Sequence, residues 1–417
     1  MLSFKNTYNS AATTKMHQVF QTIGFPIKQT YTCLFSLGFV FVSILCEAQS
    51  KIRVGANQTE DYFSLLKNKN IALVANQTSV IFKNNKQADY THLVDSLIAR
   101  DIHIVKVFSP EHGFRGKADA SEKVANGIDL KTGLPIISLY GKHKKPSPKQ
   151  LQNIDLLVFD IQDVGVRFYT YISTLHYVME ACAENNIAVM VLDRPNPNAS
   201  YIDGPTLDLK YRSFVGMHPV PLVYGMTIGE YAKMINGEKW LKNNINCDLK
   251  VIPLKNYTHN SSYHLAIRPS PNLPNDTSIN LYPSLGFFEG TPINAGRGTE
   301  FQFQRFGSSK FKKTNFSYTP QPNFGSKNPK DKNNLCYGYN LEHTPLLNSV
   351  QISWLLKAYK SYPDKEAFFG KTFTIHAGNE VLRKQIESGM TTEKIQDSWK
   401  KDILQFKKIR KNYLLYK

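Results

Sequence analysis

The sequence predicts an α/β protein: a Rossmann-like, mostly parallel sheet covered on both faces, followed by a smaller C-terminal α/β domain. Short continuous apolar runs alternate with amphipathic helical patterns from Ile71 onward, the signature of parallel strands buried on both sides. The texture changes to Pro, Asn and Ser in "RPSPNLPNDTSINLYPS" near residue 270, as expected of a connection between domains. The predicted organisation is residues 1–48 as a signal, 52–270 as the Rossmann-like domain and 271–417 as the C-terminal domain.

The elements follow in order. "IALVAN" reads as a strand, "THLVDSLIAR" as a helix, "HIVKVFS" and "LPIISLYG" as strands, and "IDLLVFDIQD" as another. In the next segment Ile172, Leu175, Val178, Met179 and Cys182 form one stripe at helical spacing, which marks a core-facing helix over 171–186. "IAVMVLDRPNP" is again a strand. Thr227 with Glu230 three residues on opens a helix with a capping box, and "LKVIPL" ends the series. In the second half, "FTIHA" reads as a short strand, residues 348–360 and 391–410 as helices, and the Lys-rich stretch 309–334 as a solvated loop.

Bulk properties limit the function. The 417 residues hold 51 Lys and Arg against 33 Asp and Glu, a formal net charge of +18, which suits a polyanionic partner. No finger, zipper or RNA-binding signature accompanies the charge, so nucleic acid is not expected, whereas acidic envelope polymers fit. A basic lead with Lys5, Lys15 and Lys28 precedes the apolar Cys33–Cys46 run and "EAQS". That run is short for a membrane span and matches a secretory signal cleaved after Ala48, leaving an exported chain with no stable span. Cys182, Cys247 and Cys336 would remain, widely spaced and expected as buried thiols. "GRGTEF" at Gly296 is not a dinucleotide fingerprint and no phosphate-binding GxxxxGK occurs, so no cofactor is expected.

Four strand ends carry polar clusters: Glu111 and His112; Tyr140; Asp160, Gln162, Asp163 and Arg167; Asp193, Arg194 and Asn196. In a parallel sheet these share one edge, where ligands bind. Glu111, beside Pro110 and Gly113, is the leading catalytic acid, with helix capping as its structural alternative. Asp160, Asp163 and Arg167 fit either a site or a local ion-pair network. Asp193 fits a helix cap equally well. His112 lacks a partner at metal-ligand spacing, since no HExxH or HxH occurs. In "FFEGTPINAGRGTEFQFQRFG", Glu289, Asn294, Arg297 and Glu300 sit among glycines and aromatics suited to a sugar.

"SPEHGFRG", "DIQDVGVRFYTYISTL", "VLDRPNPN" followed by "DGP", "RPSPNLP" and "FEGTPINAGRGTE" resemble, in order and spacing, the NamZ family of exo-β-N-acetylmuramidases. The resemblance runs from Val54 to "NYLLY" and departs where "INAGRG" puts Ala295 in place of a commoner Glu. It implies a site in an inter-domain cleft and release of N-acetylmuramic acid from the non-reducing end of peptidoglycan fragments. It further implies Glu111 as general acid with His112 beside it, and makes Asp160 and Asp163 candidate catalytic partners. Tyr140, Arg167, Asp193, Arg194, Glu289, Asn294, Arg297 and Glu300 become candidates for substrate binding. The lactyl carboxylate of muramic acid calls for a cation, for which Arg167, Arg194 and Arg297 are candidates. The second catalytic group, Asp160, Asp163, Glu289 or the substrate's acetamido group, stays open. So do two alternatives: a muropeptide-binding module without catalysis, and a metal-dependent hydrolase using Asp160, Asp163 and His112.

Overall fold

Strand β1 (Ile71–Ala75) lies at the centre of a seven-stranded sheet. After it come a small antiparallel hairpin, β2 (Val80–Phe82) and β3 (Tyr90–His92), and then β4 (Ile104–Ser109), β5 (Gly127–Ile128) and β6 (Pro135–Ser138). Strands β7 (Leu156–Asp160), β8 (Ala188–Leu192) and β9 (Leu249–Ile252) complete the sheet in the order β5-β6-β4-β1-β7-β8-β9. All pairings are parallel except β5 with β6. The winding reverses between β1 and β7, the switch point where an open sheet leaves a crevice beyond its carboxyl ends. Register aligns those ends: Ala75 faces Asp160, and Ser109 faces Ser138.

The computed structural model describes residues 51–83, 87–115 and 126–416, and the chain from Ile52 groups as one compact unit. The expected signal, residues 1–48, lies outside the described residues, as does Gly116 of the first motif. Among the described residues no helix is long and apolar enough to cross a membrane.

Side-chain alternation places Ile71, Leu73 and Ala75 in one buried cluster with helices α1 (Thr59–Leu66) and α2 (Leu93–Ile98). Ala72 and Val74 enter the opposite cluster. After α3 (Pro148–Leu151), helices α4 (Tyr171–Glu184) and α5 (Ile228–Gly237) supply that second face. Each fully buried Leu, Ile or Phe contributes about 1.5–3 kcal/mol against a net stability of about 5–15 kcal/mol. A one-residue slip of β1 would exchange its two faces, so burial fixes its register. The Thr227–Glu230 capping box opens α5 as the spacing predicts. Cys182, Cys247 and Cys336 are buried free thiols.

The second half begins with α6 (Asp276–Leu285), which runs into a 3₁₀ turn at Gly286–Gly290. A three-stranded antiparallel sheet follows, β10 (Arg305–Ser308), β11 (Ser317–Tyr318) and β12 (Cys336–Asn340), with β12 central. Helices α7 (Ile352–Ser361), α8 (Phe373–Ala377), α9 (Val381–Glu387) and α10 (Thr392–Arg410) close the chain. Two expectations are corrected here. "FTIHA" is helix α8, not a strand: Gly378 at φ 82° terminates it in the left-handed conformation, and Phe373 is buried against Gly290, where a Cβ would collide with the Phe373 backbone. The Lys-rich stretch is not merely solvated loop: it contains β11, and Lys330 turns inward to donate to the carbonyls of Phe288 (2.6 Å) and Thr291 (2.6 Å).

Candidate active site

Beyond the carboxyl ends of the strands lies a cavity of about 590 Å³. Its lining combines the loops after β4, β6 and β7 with residues from Ser270 onward, notably Tyr282, Glu289, Arg297 and His376. Phe168, Tyr169 and Tyr282 pack edge to face, Tyr282 adds Phe303 at 4.8 Å, and the group forms an aromatic wall. Such a wall suits the apolar face of a sugar ring.

Pro110 ends β4, and the Gly113 amide bonds back to the Pro110 carbonyl at 3.1 Å, closing a tight turn. Within it His112 is buried and held at φ 71°, a left-handed conformation uncommon outside glycine and concentrated at functional sites. The turn presents Glu111 to the cavity, where the Tyr140 hydroxyl donates to Oε1 at 2.9 Å and the Thr170 hydroxyl to Oε2 at 3.2 Å. Behind it the Asn76 amide donates to the Tyr171 hydroxyl at 2.9 Å, at the carboxyl end of β1. Glu111 thus has its rotamer fixed from two separate loops, the precondition for a directed proton transfer.

The second polar group is Glu289 with Arg297, whose Nη1 lies 3.2 and 3.3 Å from the two carboxylate oxygens. Burial works to raise the Glu289 pKa, but Arg297, with Lys330 and His376, outweighs it and holds the carboxyl below its usual range. Lys330 is pushed down, chiefly by burial. Asn294 organises this corner: its Nδ2 donates to the carbonyls of Arg297 (3.0 Å) and Lys330 (2.9 Å), and its Oδ1 accepts from the Gly296 amide. His376 donates from Nδ1 to the Thr372 carbonyl at 3.0 Å, and burial lowers its pKa, so its neutral form carries the proton on Nδ1.

Of the residues singled out in the sequence, the cavity collects Glu111, His112, Tyr140, Glu289 and Arg297. The others lie elsewhere, most of them bound to protein partners. Asp160 and Arg194 form a buried bidentate pair at 2.6 and 2.8 Å, in which Asp160 offsets the effect of burial on the guanidinium and raises its pKa. Asp163 accepts from the Gly165 amide and the Tyr224 hydroxyl, and burial pushes it up to about 6. Arg167, fully buried and pushed down by burial to about 9, donates to the carbonyls of Pro205, Val220, His376 and Ala377, tying the loop after β7 to the end of α8. Asp193 accepts from Thr227 and Gly229 at the start of α5 and from the Tyr416 hydroxyl, and burial pushes it up to about 7. It caps a helix. Asn294 is buried beneath the lining, and Glu300 is exposed outside it. Among the described residues no three His, Cys, Asp or Glu side chains converge as metal ligands.

Four polar contributors to this region carry no such signal in the sequence. Thr170 lay inside a quoted motif but carried no charge to mark it. Asn272, which donates to the Gly325 carbonyl at 2.6 Å, lies within the Pro- and Asn-rich connection. His376 was hidden in the supposed strand, and Lys330 in the supposed loop.

Comparison with known proteins identifies the family. Residues 71–277 match the family model described as exo-beta-N-acetylmuramidase NamZ, N-terminal, and residues 280–416 match its C-terminal counterpart. A peptidoglycan beta-N-acetylmuramidase NamZ from Bacillus subtilis (strain 168) is 40% identical over 378 residues, 85% of this chain and 89% of that protein. Two crystal structures of DUF1343 family proteins from Bacteroides fragilis are similar in fold. One has a TM-score of 0.81 at 45% identity and the other 0.74 at 30%, each covering 88% of this chain and 99% of the other.

Proposed function

The chain belongs to the exo-β-N-acetylmuramidase NamZ family, and from that premise we propose that it is a glycosidase that releases N-acetylmuramic acid from the non-reducing end of peptidoglycan fragments. The observation that carries the assignment is Glu111, fixed at the carboxyl edge of the sheet by Tyr140 and Thr170, in one cavity with the Glu289–Arg297 pair.

Glycoside hydrolysis needs a carboxylic acid to protonate the leaving oxygen and a second group to support an oxocarbenium-like transition state. Glu111 fills the first role. The Tyr140 and Thr170 hydroxyls can accept as well as donate, so they hold Glu111 in place both before and after it gives up its proton. Glu289, kept ionised by Arg297, suits the second role, because its negative charge can face the developing positive charge at the anomeric carbon. Asp160 and Asp163, bound into the protein away from the lining, serve as scaffold. Arg194 and Arg167 are likewise occupied, which leaves Arg297 to meet the lactyl carboxylate. The apolar run at Cys33–Cys46 and a substrate located outside the membrane support export to the periplasm or beyond.

The test is release from a chromogenic β-N-acetylmuramide and from the matching N-acetylglucosaminide. The wild type is expected to cleave the muramide, and Glu111→Gln to lose about 10²- to 10⁴-fold while folding normally. Full activity in Glu111→Gln would remove the acid assignment, and no cleavage of the muramide by the wild type would remove the glycosidase reading.

A further inference from the structure

A second concavity, of about 470 Å³, takes no part in the chemistry above. It shares a wall with the first: Tyr177 of the second stacks on Phe214 of the first, with ring centroids 6.2 Å apart and planes 12° from parallel. Its floor is Trp240, stacked at 4.4 Å on the buried His218. His218 is fixed in turn by the Tyr231 hydroxyl (3.0 Å) and by His176 (2.9 Å), so the aromatic surface is rigid before any ligand arrives. Arg212, Lys239 and Lys242 are exposed around it. Glu180 is the single carboxylate among its described lining residues, and it is already engaged by Lys145 at 2.7 Å and by the Lys242 amide at 2.7 Å.

A rigid indole surrounded by cations recognises a ring that carries a carboxylate. The substrate of an exo-acting muramidase presents such groups on its leaving side, because only the terminal sugar enters the catalytic cavity and the rest of the chain extends outward. We propose that this concavity is an accessory subsite for the leaving-side glycan, resting on the muramidase reading, with a sugar ring against Trp240 and a carboxylate on Arg212 and Lys242. That carboxylate belongs either to a further lactyl group or to a stem peptide, and the two sources are separable by experiment.

The experiment compares the wild type with Arg212→Glu/Lys242→Glu and with Trp240→Ala, on three substrates: the chromogenic muramide, a peptide-free tetrasaccharide beginning with N-acetylmuramic acid, and the same tetrasaccharide with a stem peptide on its internal muramic residue only. Arg212 and Lys242 are exposed, so reversing their charge leaves the core intact should Trp240→Ala fail to fold. The expected result is an unchanged muramide rate with a tetrasaccharide KM raised at least about tenfold, the lower bound set by losing one charge-assisted hydrogen bond, since the double reversal removes two cations. A stem peptide is joined through the lactyl carboxyl and consumes it, so a rise on the peptide-free tetrasaccharide alone identifies the lactyl carboxylate, a rise on the peptide-bearing one alone identifies a carboxylate of the stem peptide, and a rise on both shows that the subsite takes either. Unchanged KM on both overturns the subsite while leaving the muramidase reading in place. If the wild type cleaves none of the three, the muramidase reading falls and the subsite with it.

Discussion

Replacing Arg297 with Ala tests the central claim about specificity, that one guanidinium reads the lactyl carboxylate. Its side chain is 23% exposed and that of Glu289 is 27%, so the pair is mostly shielded yet open to a ligand. A hydrogen bond to a charged group contributes about 1.5–3 kcal/mol net. Shielding from solvent favours the upper part of that range, while competition from Glu289 works against it, giving about 2–3 kcal/mol, or about 30- to 150-fold in kcat/KM. The assay is a cycle of two enzymes on two substrates, wild type and Arg297→Ala on the chromogenic muramide and on its lactyl methyl ester. The wild type should prefer the free carboxylate by about that factor, and the variant should show little preference. There is a second readout. Arg297 is the main group holding Glu289 below its usual range, so its removal raises the Glu289 pKa, and the acidic limb of the pH–rate profile should move to higher pH. Equal losses on both substrates would refute the recognition role, since the preference would then have survived the loss of the residue said to produce it.

Other outcomes follow from the same geometry. Tyr140→Phe removes the donor to Glu111 Oε1 and should lower kcat about tenfold with KM nearly unchanged, whereas a pure KM effect would place Tyr140 on the substrate instead. Arg167→Met removes the donor to the carbonyls of Pro205, Val220, His376 and Ala377, of which that of Val220 keeps the Leu207 amide, and should cost about 3 kcal/mol or more, seen as a lower denaturation midpoint; Arg167→Lys should not rescue it, because an ammonium cannot span the same acceptors. Asp163 titrates near 6 when folded against about 3.9 unfolded, so its neutral form favours the fold below about pH 4, and this contribution of about 3 kcal/mol is lost as pH rises to about 6. Asp163→Asn keeps an acceptor for Gly165 and Tyr224 without the titration, so its denaturation free energy should lack that falling slope; parallel slopes in the two proteins would place the titration elsewhere.

The sheet was legible because its signal is local and redundant. Burial on both faces makes β1, β7 and β8 unbroken apolar runs, and turn residues punctuate them. The site was legible in part, at the one turn where Pro110, Glu111, His112 and Gly113 combine a charge with a forced change of direction. "DIQDVGVRFYTY" shows why the rest was not. Its charged members, Asp160, Asp163 and Arg167, face into the protein and hold the loop, whereas its uncharged members Phe168, Tyr169 and Thr170 line the cavity. Charge draws attention in a sequence, but a charged side chain can serve as well inside a satisfied network as in a site. Which side it faces depends on partners such as Tyr224 and the α8 carbonyls, which come from distant segments. The short helix α8 failed for the opposite reason: five residues with alternating Phe373 and Ile375 fit a strand, and only packing against Gly290 decides for helix.

The fate of the three arginines bears on how such a site selects its ligand. Arg194 is committed to Asp160 and Arg167 to backbone carbonyls, so neither can exchange its partner for a substrate without leaving a buried group unpaired. Arg297 differs in that its partner, Glu289, is itself part of the cavity lining. A lactyl carboxylate arriving there must share the guanidinium with a carboxylate already bound, which limits the gain in affinity. With Glu289 in the proposed second role, a sugar lacking the lactyl group would leave Arg297 fully engaged with it, and the negative charge needed at the anomeric carbon would stay neutralised. With the roles proposed above, binding of the correct sugar would draw Arg297 partly away and strengthen the field of Glu289 where positive charge develops. On this account selectivity belongs in kcat more than in KM, because the discriminating interaction also releases the group that supports the transition state.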